Sequence, residues 1–524
     1  MPPSPDTEVL IAGAGPTGLN LALWLTRLGI RVRIIDKNPY PAAHSRALAV
    51  QARTLEFYSQ LGFAHELVEA GHHVAAVNLW VSGRRVAHAP FGDLGRGLSP
   101  YPFALVYPQD EHEPLLIRHL AELGVTVERP TELLSFTEPA NTNAPILAVL
   151  RLADGSEQTC RCTFLAGCDG ARSVVRQSLN IGFPGGQYTH LFYVADVTAS
   201  GPVADGELHV ALDDNDFLAI FPIDNSGRIR IVGTIRDELA DQAAAQNDEL
   251  SWNDVSNRIL NWIKVDIQNV NWFSTYRVHH RVAEHFRSGR VFLLGDAAHV
   301  HSPVGGQGMN TGIGDAVNLS WKLASILRSR APVSLLDTFE SERIAFARRL
   351  VATTDQAFTA VTSDGELARL VRLQIAPRLL PALLSSQRVR PFLFRTVSQI
   401  GVNYRTSNLS QGRTGKLHAG DRLPWLQFPN DPKSPGPDNF APLSSLAWQV
   451  HIYSTWTCPD IGRLSHQRKL AFHVFPWRPD LAASGISENA VYLIRPDGYI
   501  AFADTAAKAR TLAAYLDAKG LTFA

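Results

Sequence analysis

A short apolar run that feeds straight into closely spaced glycines constrains this chain more than any other feature. Glu8-Val9-Leu10-Ile11-Ala12 reads as a buried strand, and Gly13-Ala14-Gly15-Pro16-Thr17-Gly18 as a tight turn that opens a helix. The helix is expected over Thr17–Leu28, with Leu19, Ala22, Leu23 and Leu25 as its packing face and Gly29 as its stop. Arg31-Val32-Arg33-Ile34-Ile35 follows as a second strand, with Asp36 at its carboxyl end. In such a unit Gly13 makes the turn, Gly15 lets the backbone approach a pyrophosphate, and Gly18 lets helix and strand pack closely. The helix amino terminus offers unpaired N–H groups and a partial positive charge to phosphates. Asp36 stands 18 residues after Gly18, where an acid accepts hydrogen bonds from ribose hydroxyls. A carboxylate there repels a 2′-phosphate, so the unit suits FAD or NAD rather than NADP. By itself it does not choose between those two.

A second strand-to-turn junction lies far along the chain. Arg290-Val291-Phe292-Leu293-Leu294-Gly295-Asp296 reads as a buried strand ending in an acid, and Ala297 and Ala298 keep the next turn small. Past Pro303 come Gly305, Gly306 and Gly308, then a helix over Met309–Leu327 whose stripe is Ile313, Ala316, Val317, Leu323 and Leu327. Reduced flavin carries negative charge at its N1–C2 carbonyl region, and glycine amides at a helix start are the donors that stabilise it. Asp296 is then placed to accept from ribityl hydroxyls. The ordinary alternative is a surface loop before an amphipathic helix, with Asp296 as a cap. One site built from both junctions suits a long cofactor with an adenine end and a flavin end.

Composition narrows the classes. Lys plus Arg equals Asp plus Glu at 49 each, so charge gives no reason to expect nucleic acid or an anionic membrane as partner. Apolar residues at 45% and charged residues at 19% are those of a folded chain, and 524 residues allow about three domains. The first strand begins too early for a signal peptide, and no uncharged apolar run approaches the roughly 18 residues of a membrane span. A cytoplasmic enzyme is expected. Cys160 and Cys162, with Cys168 and Cys458, lack the ligand count of a closed zinc site; the first two read as small thiols on one buried strand face. His279, His280, His299 and His301 have no metal-site spacing, so no metal is expected.

Taken in order, these segments resemble the single-component FAD-dependent aromatic hydroxylases, the para-hydroxybenzoate hydroxylase-like (group A) flavoprotein monooxygenases. Gly13 to Gly18 matches that family's FAD fingerprint, Leu165-Ala166-Gly167-Cys168-Asp169-Gly170 its Asp-Gly motif, and Gly289 to His299 its Gly-Asp motif. Pro303 to Asn310 is similar to the loop under the isoalloxazine ring; Ser45-Arg46-Ala47, Arg53-Thr54-Leu55-Glu56 and Pro108-Gln109 also match. The resemblance assigns to the cofactor Gly13, Ala14, Gly15, Pro16, Thr17, Gly18, Asp36, Arg46, Gln109, Val127 and Asp169 from the first half. It adds Gly295, Asp296, Gly305, Gly306, Gly308, Met309 and Asn310 from the second, with Val127 at the adenine. It implies that NADPH or NADH reduces the flavin, that dioxygen adds at C4a, and that the hydroperoxide passes its distal oxygen to an electron-rich ring carbon. The substrate would be a phenolic or polyketide-like aromatic, with the Pro303 carbonyl orienting substrate or flavin adduct. No second strand-linked G-x-G-x-x-G is present, so the nicotinamide cofactor is expected to bind transiently. One departure is Leu48, which stands where phenol hydroxylase carries an activating Asp. Alternatives on the same scaffold are an epoxidase, a halogenase (its Trp-x-Trp-x-Ile-Pro sequence is absent) or a flavin-binding protein without turnover.

The expected fold is α/β: a Rossmann-type FAD-binding domain with an inserted antiparallel β-sheet substrate domain and a C-terminal thioredoxin-like domain. The FAD-binding domain takes residues 1–185, including a small β segment near 75–107, and 286–405; the sheet takes 186–285. Short alternating runs such as Phe217–Phe221 and Arg228–Val232, joined at Asn225-Ser226-Gly227, carry the sheet expectation. Within it, His209 and Tyr193 are candidates for deprotonating a phenol, although core packing is the commoner role of such residues. A helix-rich stretch covers Leu335–Val402, and the proline-rich run Pro429–Pro437 marks a boundary. The tail, 406–524, shows a strand at Trp448–Tyr453, a hairpin turning on Pro496-Asp497-Gly498, and a helix over Thr505–Lys519. It resembles the thioredoxin-like tail of phenol hydroxylase-type members. With Cys458 alone there, disulfide exchange is not expected, and structural or homodimer contacts are its expected role.

Overall fold

The computed structural model describes residues 5–42, 47–92, 94–141, 144–213, 217–224, 226–235, 250–302, 306–362, 375, 378–379, 386, 389–428 and 438–523. Arg46, Pro303, Gly305, Asn225 and the run Pro429–Pro437 lie outside the described residues. Thr7–Ala12 is the centre of a parallel sheet ordered Val291–Leu293, Glu157–Gly167, Thr7–Ala12, Val32–Ile35, Val127–Glu128. An apolar run suits this place because a parallel strand is covered on both faces, and Val9, Leu10 and Ile11 are fully buried. Register pairs Ala12 with both Gly167 and Ile35, and Gly167 with Leu293. The chain therefore leaves four neighbouring strands on one edge at Gly13, Asp36, Cys168 and Leu294. Ligands of open parallel sheets bind at that carboxyl edge. Cys160 and Cys162 are buried on the same strand, two residues apart.

Helices α1 (Pro16–Arg27), α2 (Ala52–Leu61), α3 (Gln109–Glu122), α4 (Gly308–Leu327) and α5 (Asp337–Thr362) surround this edge. Leu19, Leu23, Ile313, Val317 and Leu323 share one buried cluster with the strands, so the helix faces expected from periodicity are the packed ones.

A second sheet has eight strands in the order His299–Val300, Asp266–Val282, Gly185–Ser200, Arg228–Ile235, Phe217–Pro222, Leu208–Leu212, Ala76–Val81, Arg84–Pro90. Its pairings are antiparallel except that Leu208–Leu212 runs parallel to Ala76–Val81. The early hairpin 76–90 thus extends the large sheet rather than standing beside it. Alternation splits the side chains cleanly. Tyr193, Ala195, Val197, Ile229 and Ile231 face the short helix Arg258–Trp262, packing on Ile259, Leu260 and Ile263. From the opposite face Leu208 and Phe221 pack on Leu48, Val74 and Val106, beside the carboxyl edge of the first sheet.

The tail forms a third sheet, Leu417–His418, Gln411–Thr414, Ile500–Asp504, Val491–Ile494, Gln449–Tyr453, Ala471–Phe475, with helices Pro459–Gln467 and Ala509–Ala518. The last helix starts four residues later than its pattern predicts. Ala507 takes φ +47°, and Asp504 accepts from the Ala506 N–H and Thr511 hydroxyl, which builds a turn before the helix.

Candidate active site

The first glycine turn is shaped by what its side chains would hit. Gly13 takes φ +102°, and a Cβ there would lie 2.3 Å from the Cys168 carbonyl oxygen. A Cβ on Gly18 would lie 2.0 Å from the Gly13 carbonyl oxygen. Gly15 differs: a Cβ there meets nothing closer than Glu113 Oε1 at 4.0 Å, so its side opens outward. Gly15 caps α1 and Pro16 begins it; neither a side-chain cap nor a first-turn acid occupies its N–H groups. Helix α4 also starts without a side-chain cap or first-turn acid. Both helices thus present free amide donors suited to an anion.

The second junction closes onto the first through Thr17. A Cβ on Gly295 would sit 2.6 Å from Thr17 Oγ1, and one on Gly312 would sit 2.2 Å from it. Only glycines let α1, the Gly295-Asp296 turn and α4 meet here. The two fingerprints seen in the sequence are therefore one place in space. Asp296 is exposed on that turn, and Asp169 stands against Gly13, one carboxylate oxygen accepting the Val175 N–H (3.1 Å).

Asp36 accepts the Ala14 N–H (2.8 Å) and the Asn38 N–H (2.9 Å), and Arg129 lies 3.4 Å from it. Arg129 also donates to the Ala14 carbonyl (3.1 Å), bracing the turn. Val127 pairs with Ile34 on the neighbouring strand, beside Asp36. Gln109 opens α3 and donates to Glu113 (2.6 Å), which also accepts from the Ala42 N–H (3.1 Å). Burial lifts the Glu113 carboxyl above its usual range, against those two donors.

Asn310 anchors the loop before α4. Its Oδ1 accepts from the Gln51 N–H (2.9 Å) and the Thr54 hydroxyl (2.7 Å), while its Nδ2 donates to Ala49 and Gly306 carbonyls (2.9 and 2.8 Å). Met309 packs partly buried against the main cluster. Asp315 holds the Gly295-Asp296 turn: it accepts from the Gly295 N–H (3.0 Å), His299 Nε2 (2.7 Å) and Arg343 Nε (2.5 Å). Burial alone would raise its carboxyl, but Arg343 and His299 outweigh that and hold it below its usual value. His301 donates from Nδ1 to the Ser302 carbonyl (2.8 Å), so its Nε2 carries a lone pair, buried and turned toward Gly308. Burial, aided by His299, brings its pKa down to about 4, so the ring is neutral.

His209 and Tyr193 are not part of this arrangement. Both lie on the helix-covered face of the large sheet. His209 accepts from Trp80 Nε1 (3.0 Å) and donates to Asp205 (2.9 Å); Tyr193 packs between Trp252 and Phe273. Arg129, Glu113, Asp315 and Arg343 were invisible as site-builders in the sequence, because each acts across elements far apart in the chain. Among the described residues no three His, Cys, Asp or Glu side chains gather as a metal site, and no helix is long and apolar enough to cross a membrane.

Comparison with known proteins decides the family. The FAD binding domain family matches residues 6–354. The chain belongs to the FAD-dependent aromatic hydroxylases. This hydroxylase is 34% identical to 6-methylpretetramide 4-monooxygenase of Streptomyces rimosus, over 99% of this chain and 94% of the relative. It is 32% identical to pentachlorophenol 4-monooxygenase of Sphingobium chlorophenolicum, over 80% and 76%. The solved structure of anhydrotetracycline hydroxylase from Streptomyces rimosus superposes with TM-score 0.77 at 25% identity, covering 99% of this chain and all of that one. The hydroxylase is accordingly an FAD-dependent monooxygenase, with NAD(P)H as reductant and dioxygen as oxidant. The uncapped start of α1 and the outward-opening Gly15 fit a pyrophosphate, and the glycine pinch at Thr17 brings the uncapped start of α4 to the same edge.

Proposed function

We propose that this hydroxylase adds one oxygen atom to a phenolic, polyketide-like aromatic held between the inner face of the large sheet and the loops at 47–51 and 306–310. The observation that carries this reading is the apolar contact of Leu208 and Phe221 with Leu48, Val74 and Val106 beside Asn310's loop. Leu48 is buried there and supplies no carboxylate. Among the described residues, His209 and Tyr193 face away, so ring activation falls to the substrate's own hydroxyls, as suits an electron-rich fused phenol. Two relatives spanning most of the chain are named for dehydrotetracycline or anhydrotetracycline, which supports this choice over a single-ring phenol. Bound FAD, reduced by NAD(P)H, supplies the activated oxygen. The chain's share is to position and exclude water. Gly13 to Gly18 would hold the pyrophosphate, Asp36 and Val127 the adenosine end, and Gln109 the middle. Asp169, Gly295 and Asp296 would line the ribityl side, and Gly306, Gly308, Met309 and Asn310 the ring. Arg46, Pro303 and Gly305 complete the proposed set, Pro303 as the substrate-orienting carbonyl.

The same reading divides the chain into a Rossmann-type FAD-binding unit (1–185 and 286–405), a substrate sheet (186–285, joined by the 76–90 hairpin) and a thioredoxin-like tail (406–524). A mixed sheet flanked by two helices supports the last assignment. A cytoplasmic enzyme, with the tail free for homodimer contacts, fits this picture. The test is NADPH and NADH oxidation by FAD-loaded protein with fused-ring phenols and single-ring phenols, with mass spectrometry of products. Substrate-stimulated consumption and a one-oxygen mass gain with fused-ring phenols are expected. Stimulation and product with single-ring phenols alone would refute the substrate class.

A further inference from the structure

The tail sheet packs on the cofactor-binding half through an apolar cluster that includes Trp321, Leu335 and Trp448, and beside that cluster it inserts the charged tip of one hairpin. Arg495 donates to Glu342 of α5 (2.8 and 3.0 Å) and to Asp497 (3.0 Å). Glu342 also accepts from Lys322 (2.9 Å) and Asn318 (2.7 Å) of α4, and Asp497 accepts from the indole N–H of Trp321 (3.1 Å). The Asp497 carbonyl accepts from Arg53 (2.5 Å), whose other nitrogen donates to Glu56 (2.7 Å), and Arg422 of the tail also pairs with Glu56. Arg53, Glu56, Lys322, Glu342, Arg495 and Asp497 are all buried. Charges removed from water need partners in fixed geometry, so the hairpin tip and its sockets specify one another.

The sockets include the Arg53-Thr54-Leu55-Glu56 turn of α2, a motif that nothing above explains. Arg53 and Glu56 grip the tail, while the intervening Thr54 and the preceding Gln51 grip Asn310. One helical turn thus joins the tail hairpin to the loop before α4. We propose that the tail is a positioning element for the flavin ring: Asp497, through Arg53 and the first turn of α2, sets the placement of Asn310. This rests on Asn310 bordering the bound ring.

The experiment uses the full chain and reads FAD dissociation constant and the visible absorption band of bound FAD, neither of which needs turnover. Thr54→Val and Asp497→Asn should each weaken FAD binding about five-fold and shift the band the same way. Thr54→Ser should restore both. The double variant should fall short of the product of the two single effects, because Asp497→Asn loosens the hairpin tip whose carbonyl holds Arg53, and Thr54→Val cuts the same path further along. Leu481→Ala, in a cluster confined to the tail, should lower stability and leave both readouts unchanged. If Asp497→Asn yields no folded protein, Trp321→Phe, which drops the indole donor to Asp497 and also trims packing against Trp448, is read in its place. If Asn310→Ser moves the band and neither Asp497→Asn nor Trp321→Phe does, the coupling is refuted. If Asn310→Ser also leaves the band unmoved, it is the placement of Asn310 at the ring that fails.

Discussion

A buried histidine behind the nucleotide edge gives a prediction with a definite sign. Tyr58 of α2 accepts from Asn20 of α1 (3.1 Å) and gives its own proton to His112 Nε2 of α3 (2.7 Å). The proton on His112 therefore sits on Nδ1, which is buried without a partner. Burial lowers the pKa of this ring from 6.5 to about 3. Below the unfolded value, the unfolded chain takes up a proton that the folded chain refuses, so acid favours unfolding until the folded value is reached; above it the group contributes nothing. With those two values, moving from about pH 7.5 to about pH 5 costs about 2 kcal/mol from this group alone. His112→Gln keeps an acceptor for Tyr58 but cannot gain the charge. Urea unfolding of the FAD-loaded protein, followed by tryptophan fluorescence, should show wild type losing about 2 kcal/mol more than His112→Gln over that interval. All other titrating groups are common to both proteins and cancel. Parallel pH dependence of the two would refute the burial argument.

Gly18→Ala should abolish FAD retention on gel filtration, because the added carbon would fall 2.0 Å from the Gly13 carbonyl oxygen. Asp315→Ala leaves Arg343 buried beside an empty carboxylate place, so it should lower stability by about 3 kcal/mol and weaken FAD binding, by urea titration and flavin fluorescence. His209→Gln and Tyr193→Phe, on the helix-covered face, should change kcat less than about three-fold with any accepted phenol, whereas Phe221→Ala should raise KM more than kcat falls.

Local chemistry made the glycine-turn edge readable. The strand, glycine turn, helix and acid from Glu8 to Asp36 are consecutive, and each residue type is fixed by its own backbone position. The same holds for Val291 to Asp296. What joins these segments is not local. Arg129 reaches Ala14 and Asp36 across the sheet, and Asp315 meets His299 and Arg343 from three different elements. No spacing rule signals such contacts. Period-two alternation signals the strands of the large sheet, but it cannot say which face turns inward; hence His209 and Tyr193 looked eligible. The parallel pairing of Ala76–Val81 with Leu208–Leu212 was equally silent, since nothing near either strand names a distant partner.

The pinch at Thr17 also bears on biogenesis. A nascent chain emerging from the ribosome exposes Gly13 to Gly18 early, but Gly295 and Gly312 become available only after more than half the polypeptide has been made. The first glycine turn and its helix therefore wait for nearly three hundred further residues before the surface that closes on Thr17 exists.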